Sequence, residues 1–102
     1  MITIKDIIRD SKPHPLIDGG RQTTYETPTL KISIVGGDRS LYGDFKETFE
    51  VAIIEKDSGK FMSGYFYPEL SDSYGDTMPH LSKEHTLEVV NTLLRRKGSN
   101  SL

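Results

Sequence analysis

KETFEVAII (46–54), EKDSGK (55–60) and FMSGYFY (61–67) together form the stretch on which the fold turns. Two runs rich in Phe, Val, Ile and Tyr flank a Lys-Asp-Ser-Gly connection, and apolar runs around a Gly-bearing loop predict a β-hairpin. On the first run Phe49, Val51 and Ile53 share a face, with Ala52 and Ile54 opposite. On the second, Phe61, Tyr65 and Tyr67 alternate with Met62 and Phe66, and Gly64 marks a bulge or a close backbone approach. Apolar groups on both faces predict that one face lies under helices while the other carries an exposed aromatic patch.

Working outward, residues 29–35 alternate Leu30, Ile32 and Ile34 against Lys31 and Ser33, which predicts a further strand. Gly36-Gly37-Asp38 ends it. No GxGxxG or GxxxxGK[ST] is present, so Gly36, Gly37 and Gly43 read as turn residues supplying positive φ rather than as a phosphate loop. At the N-terminal end Thr3 is a cap, Ile4, Ile7 and Ile8 fall on one helical face, and Pro13 and Pro15 stop the helix. At the other end Ser82 caps a helix over 82–97. Its stripe is Leu87, Val90 and Leu94, widened by Val89 and Leu93, with Arg95, Arg96 and Lys97 at the negative end and Gly98 as terminator. Residues 12–28 and 68–81 read as long loops, and 98–102 as a frayed tail. The expected fold is α+β: one domain over 1–102, a three-stranded antiparallel meander with the N- and C-terminal helices packed on one face.

There are no cysteines, which excludes disulfides, thiolate nucleophiles and Cys-ligated metal sites. No apolar run approaches the roughly 20 residues of a membrane span. MITIKDIIRD lacks the cationic and apolar regions of a signal peptide, so a cytoplasmic protein without membrane contact is expected. His80 and His85 are five apart, not the i, i+4 pair of a helical metal site, and no nucleophile motif occurs. The expectation is therefore no enzyme, no catalytic residues, no metal and no cofactor. Arg95, Arg96 and Lys97 are explained by the helix dipole, so direct nucleic-acid binding is not expected.

Net charge is −2 overall, but residues 38–76 hold nine acids and four bases, a net of −5, against +3 for the rest. One account is a solvated sheet face; the sharper one is a surface shaped for a basic partner. On the sharper account the contact residues are Asp44, Glu47, Glu50, Glu69, Asp72, Tyr74 and Asp76, whose carboxylates offer acceptors to Arg and Lys. Charge reversal at Asp72 and Asp76 is then expected to weaken binding with little change in melting temperature.

The opening MITIKDIIRDSK, chiefly Ile4, Asp6, Ile7, Ile8 and Arg9, followed by strands with acidic outer positions, resembles the start of one small anti-CRISPR protein family. Such accessory proteins are carried by phages and other mobile elements. The resemblance implies a non-catalytic inhibitor of the type II CRISPR nuclease, occupying its DNA-binding cleft with acidic side chains in the host cytoplasm. Two other readings stay open. One is a self-associating structural or regulatory module, such as a homodimer, pairing a strand edge or the aromatic face with itself. The other is a small ligand-binding domain built on the loops around His14 and His80.

Overall fold

The two central strands form where the alternation places them. In a computed structural model describing residues 1–96, Leu30–Gly36 (β3) pairs antiparallel with Thr48–Glu55 (β4), setting Ile32 opposite Ile53 and Ile34 opposite Val51. These four side chains and Phe49 are fully buried and form the centre of the core. Burying a side chain of this size stabilises by about 1.5–3 kcal/mol.

The sheet has five strands, not three. Lys12–Pro13 (β1) and Arg21–Glu26 (β2) lie within the first expected loop, and Met78–Ser82 (β5) begins within the second. The strands follow in the order β1-β2-β3-β4-β5, all antiparallel, so the meander is retained and lengthened at both edges. β2 carries no apolar stripe because its inward positions are Thr23 and Tyr25. The buried Thr23 hydroxyl donates to the Ile7 carbonyl at 2.7 Å, replacing an apolar contact with a hydrogen bond. β5 is disguised by Pro79 and by a bulge, since Phe49 faces Leu81 while Val51 faces Met78, with His80 at φ 53° between them. Proline is tolerated on an edge strand, where its missing N–H breaks no ladder bond.

Residues 61–67 are the largest departure from expectation. The turn forms: Glu55 N–H donates to Lys60 C=O at 2.8 Å, with Gly59 at φ 74°. Phe61 then bridges Ile54 and Met62 N–H reaches Ile53 C=O, but Ser63–Phe66 (α2) coils into a single helical turn. The cause is Ser63, which is fully buried. Its hydroxyl oxygen accepts the Ile53 N–H at 3.0 Å and donates to the Asp76 carbonyl at 2.9 Å. The side chain thus satisfies a strand donor that a backbone carbonyl would otherwise take. Gly64 is the close backbone approach: its N–H donates to Gly75 C=O at 2.9 Å, and a Cβ there would lie 2.7 Å from the Gly75 Cα. Of the three glycines read as positive-φ turns, only Gly37 is one, at φ 98°. Gly36 and Gly43 are instead positions where a Cβ would strike backbone.

Both terminal helices form. Ile4–Arg9 (α1) starts with a reciprocal box between Thr3 and Asp6, and Ile7 is its buried residue while Ile8 faces solvent. Lys83–Arg96 (α3) follows β5 directly, with the Ser82 hydroxyl accepting the His85 N–H at 3.0 Å. Val89, Val90 and Leu93 enter the same cluster as Ile7, Ile32 and Val51, so both helices cover one face of the sheet. Leu87 and Leu94 are only partly buried, placing the stripe's centre one residue away from its expected line. The amide of Asn91 ties α3 to the segment ahead of α1: Oδ1 accepts the Ile2 N–H at 2.8 Å and Nδ2 donates to the Ile2 C=O at 3.0 Å. Lys97, the Gly98 terminator and the 98–102 tail lie outside the described residues.

Ser63→Ala tests the account of residues 61–67. It leaves a buried N–H and a carbonyl without partners, for an expected loss of about 1–3 kcal/mol in denaturant unfolding. A loss within the scatter of surface substitutions would show that backbone or water takes over both bonds.

Candidate functional site

The seven acidic and aromatic positions read from the sequence fall into two groups along the chain. Asp44, Glu47 and Glu50 belong to the segment that enters β4, and the fold uses each of them. Asp44 Oδ1 accepts the N–H groups of Lys46 (2.8 Å), Glu47 (2.8 Å) and Thr48 (3.0 Å). These donors, led by that of Thr48, hold its carboxyl down at a pKa of about 2. The turn it closes contains Phe45, buried and at φ 62°, stacked edge-on against Phe49 at 5.3 Å. Glu50 Oε1 accepts the Tyr42 N–H at 3.0 Å, and Glu47 pairs with Lys83 at 3.3 Å.

Of the other four, Asp72, Tyr74 and Asp76 share one bonded turn. Asp72 Oδ1 accepts the N–H groups of Tyr74 (3.2 Å) and Asp76 (3.0 Å), and Asp72 N–H donates to Thr77 C=O at 2.8 Å. The loop is therefore folded around this carboxylate. Asp72 is a structural residue, and the expectation that reversing it would spare the melting temperature is corrected. The Gly64–Gly75 contact places Tyr65 and Tyr74 on adjoining segments, 76% and 85% exposed. Glu69 and Asp76 are exposed on the same loop. This group lies where Ser63 meets Ile53, whereas Asp44 and Glu47 lie at the Thr48 end of β4. Five strand residues, roughly 17 Å, separate the two ends. In the sequence Tyr65 reads as part of an exposed aromatic face of a strand rather than as one of the contact residues. A single helical turn instead holds it out in solvent.

The histidine loops are built differently from a ligand site. His14 Nδ1 accepts the N–H groups of Leu16 (3.1 Å) and Ile17 (3.2 Å), which makes it the cap of its own turn. His80 is exposed and sits edge-on to Tyr42 at 5.7 Å, while its N–H donates to Tyr42 C=O at 2.8 Å. Asp38, Asp44 and His80 line a shallow depression of 320 Å³, but the first carboxylate is bonded to Ser40 and the second to its own turn. Among the described residues no group of three His, Cys, Asp or Glu side chains is placed to hold a metal ion. A larger cleft of 540 Å³ opens beside Tyr65.

Among the described residues no helix is long and apolar enough to cross a membrane. In comparisons with known proteins, no family model, curated protein or solved structure matches this chain.

Because the Asp44 pKa is depressed in the fold, the stabilisation it supplies is complete above its ordinary value of 3.8 and is lost as pH falls through about 2. Asp44→Ala is expected to lower the urea midpoint at neutral pH and to flatten its decline between these two values. An unchanged acid limb would show that the three N–H groups find other acceptors.

Proposed function

We propose that this domain is a non-catalytic protein-binding module. It presents the Tyr65–Tyr74 surface, with Glu69 and Asp76, to a basic, nucleic-acid-binding protein. The observation that carries this reading is the Gly64–Gly75 contact, which fixes two largely exposed tyrosines on a loop whose free carboxylates point to solvent. Tyrosine brings a large contact area with only two side-chain torsions to restrict, and its ring face attracts Arg and Lys. The carboxylates supply charge-assisted acceptors at the rim, where they act mainly on encounter rate and choice of partner. A nuclease is the partner class implied by the N-terminal resemblance, and occupation of its cleft would make the domain an inhibitor. Asp44, Glu47 and Glu50 drop out of the contact set, and Asp72 acts by holding the loop.

One observation favours self-association as a second reading. β1 pairs only with Arg21 and Gln22, so the outer edge of β2 from Thr24 to Glu26 has no strand beside it among the described residues. Sizing in solution over a concentration series separates a dimer from a monomer.

The test is capture from lysate of the source cell with tagged protein, comparing the native chain with Glu69→Lys/Asp76→Lys and with Tyr74→Ala. The native chain is expected to retain a nucleic-acid-binding protein at low salt and to release it at high salt, because screening weakens exposed charge pairs. Both variants are expected to lose capture while keeping the melting temperature. Undiminished capture by both would overturn the proposal.

A further inference from the structure

The tip of the β1–β2 hairpin is built on His14-Pro15-Leu16-Ile17, in which a histidine stands at the capping position usually held by Asp, Asn or Ser. A residue before proline is biased to extended backbone, and Pro15 has no N–H of its own. The first donors of the turn that need a partner are therefore those of Leu16 and Ile17. One atom takes both: His14 Nδ1 accepts them at 3.1 and 3.2 Å. The Gly20 N–H donates to the Ile17 carbonyl at 3.0 Å, and the His14 N–H to the Gly20 carbonyl at 2.9 Å, which joins the turn to the two-residue β1. A carboxylate or amide oxygen in this place keeps its lone pairs throughout the neutral pH range. Imidazole does not. Its Nδ1 accepts only while the ring is neutral with the proton on Nε2, and both nitrogens are donors once the ring is charged.

We propose that His14 is a proton-operated clasp: its neutral ring closes the turn over residues 14–20, and protonation opens that turn and loosens β1 from its tip. A charged ring would aim an N–H at two others, so it swings away and the Leu16 and Ile17 donors turn to water. The ring is half-buried and within reach of solvent protons. The charged groups on the segments around it are Lys12 on β1, Asp18 in the turn, Arg21 on β2, and Asp38 and Arg39 on the segment whose Leu41 lies against Gly20. Arg21 is engaged with Ser11 and Asp38 with Ser40, and among the described residues none of the five forms a salt bridge with the ring. The open turn binds the additional proton, so closure is complete where the ring is neutral and is lost as pH falls. Opening withdraws the fixed presentation of the exposed Leu16 and loosens β1 on the side where β2 already has a free edge. The bonds from Arg21 to Ser11 keep the other end of β1 attached, which confines the change to the tip.

The experiment is a two-dimensional NMR titration of the full chain from about pH 8 to about pH 5, the range in which imidazole changes charge. It follows the backbone amides together with the ring nitrogens of His14. At the upper end Nδ1 is expected to be the unprotonated nitrogen. As the ring takes its proton, the Leu16 and Ile17 amide signals are expected to move in step with it, while those of Ile32 and Ile53 in the core stay fixed. The ratio of closed to open turn should fall roughly tenfold for each pH unit once the ring titrates. His14→Ala should place the Leu16 and Ile17 signals at the upper end where the native chain has them at the lower end. His14→Asn, whose amide oxygen caps without titrating, should hold them in the closed position throughout. Fixed Leu16 and Ile17 signals while the ring titrates would overturn the proposal. So would a titration of these amides that persists in His14→Asn, or a movement of the core signals together with the turn.

Discussion

Every backbone donor on a central strand needs a partner, and the whole arrangement depends on how β4 meets that requirement at Ile53. On one side β4 is paired to β3 along nearly its full length. On the other, Glu55 and Ile53 are met by residues 60–62, and from Val51 onward the partner is β5. Two segments share one strand edge, and between them a single N–H would be stranded in the core. The Ser63 hydroxyl takes it, and by bonding onward to Asp76 also fixes the point from which the chain enters β5. An unpaired buried donor would cost about 1–3 kcal/mol, a large part of the stability of a domain this size. The same side chain thus ends one pairing, starts the next, and positions the loop proposed to bind a partner.

The parts of this fold that were legible in the sequence are those where polarity and periodicity agree. Leu30, Ile32 and Ile34, Phe49, Val51 and Ile53 and the Thr3 cap fall where the pattern sets them, and the apolar stripe of α3 lies one residue from its expected line. The additional strands were not legible because their inward positions do not look apolar. Thr23 is buried through a hydrogen bond to another element, and β5 combines a proline with a left-handed histidine in five residues. FMSGYFY failed for the opposite reason. Its alternation is strand-like, yet the deciding residue is a buried serine whose partners lie at Ile53 and Asp76.

The surface was less legible than the core. Composition places an excess of acid in residues 38–76, but a carboxylate in a sequence does not declare whether its charge is spent within the fold. Asp44 and Asp72 each accept N–H groups from the residues just after them, a role written locally as Asp followed by a tight turn. The strand reading places Tyr65 on an aromatic sheet face, not on a helical turn. Its exposure follows from Gly64 and Gly75, two small residues eleven positions apart that permit backbone to touch backbone.

The Asn91 amide has a consequence for the order of folding. The meander and its turns are assembled from neighbours in sequence, the kind of contact that forms early. The bonds between Ile2 and Asn91 span 89 residues. α1, six residues long, is too short to persist by itself. On a ribosome, Ile2 therefore waits for nearly all of the described chain before its partner exists. Until then the face of β2 that α1 will cover stays open to water and to other chains. The segment ahead of α1 is thus secured only after the rest of the described fold has been made.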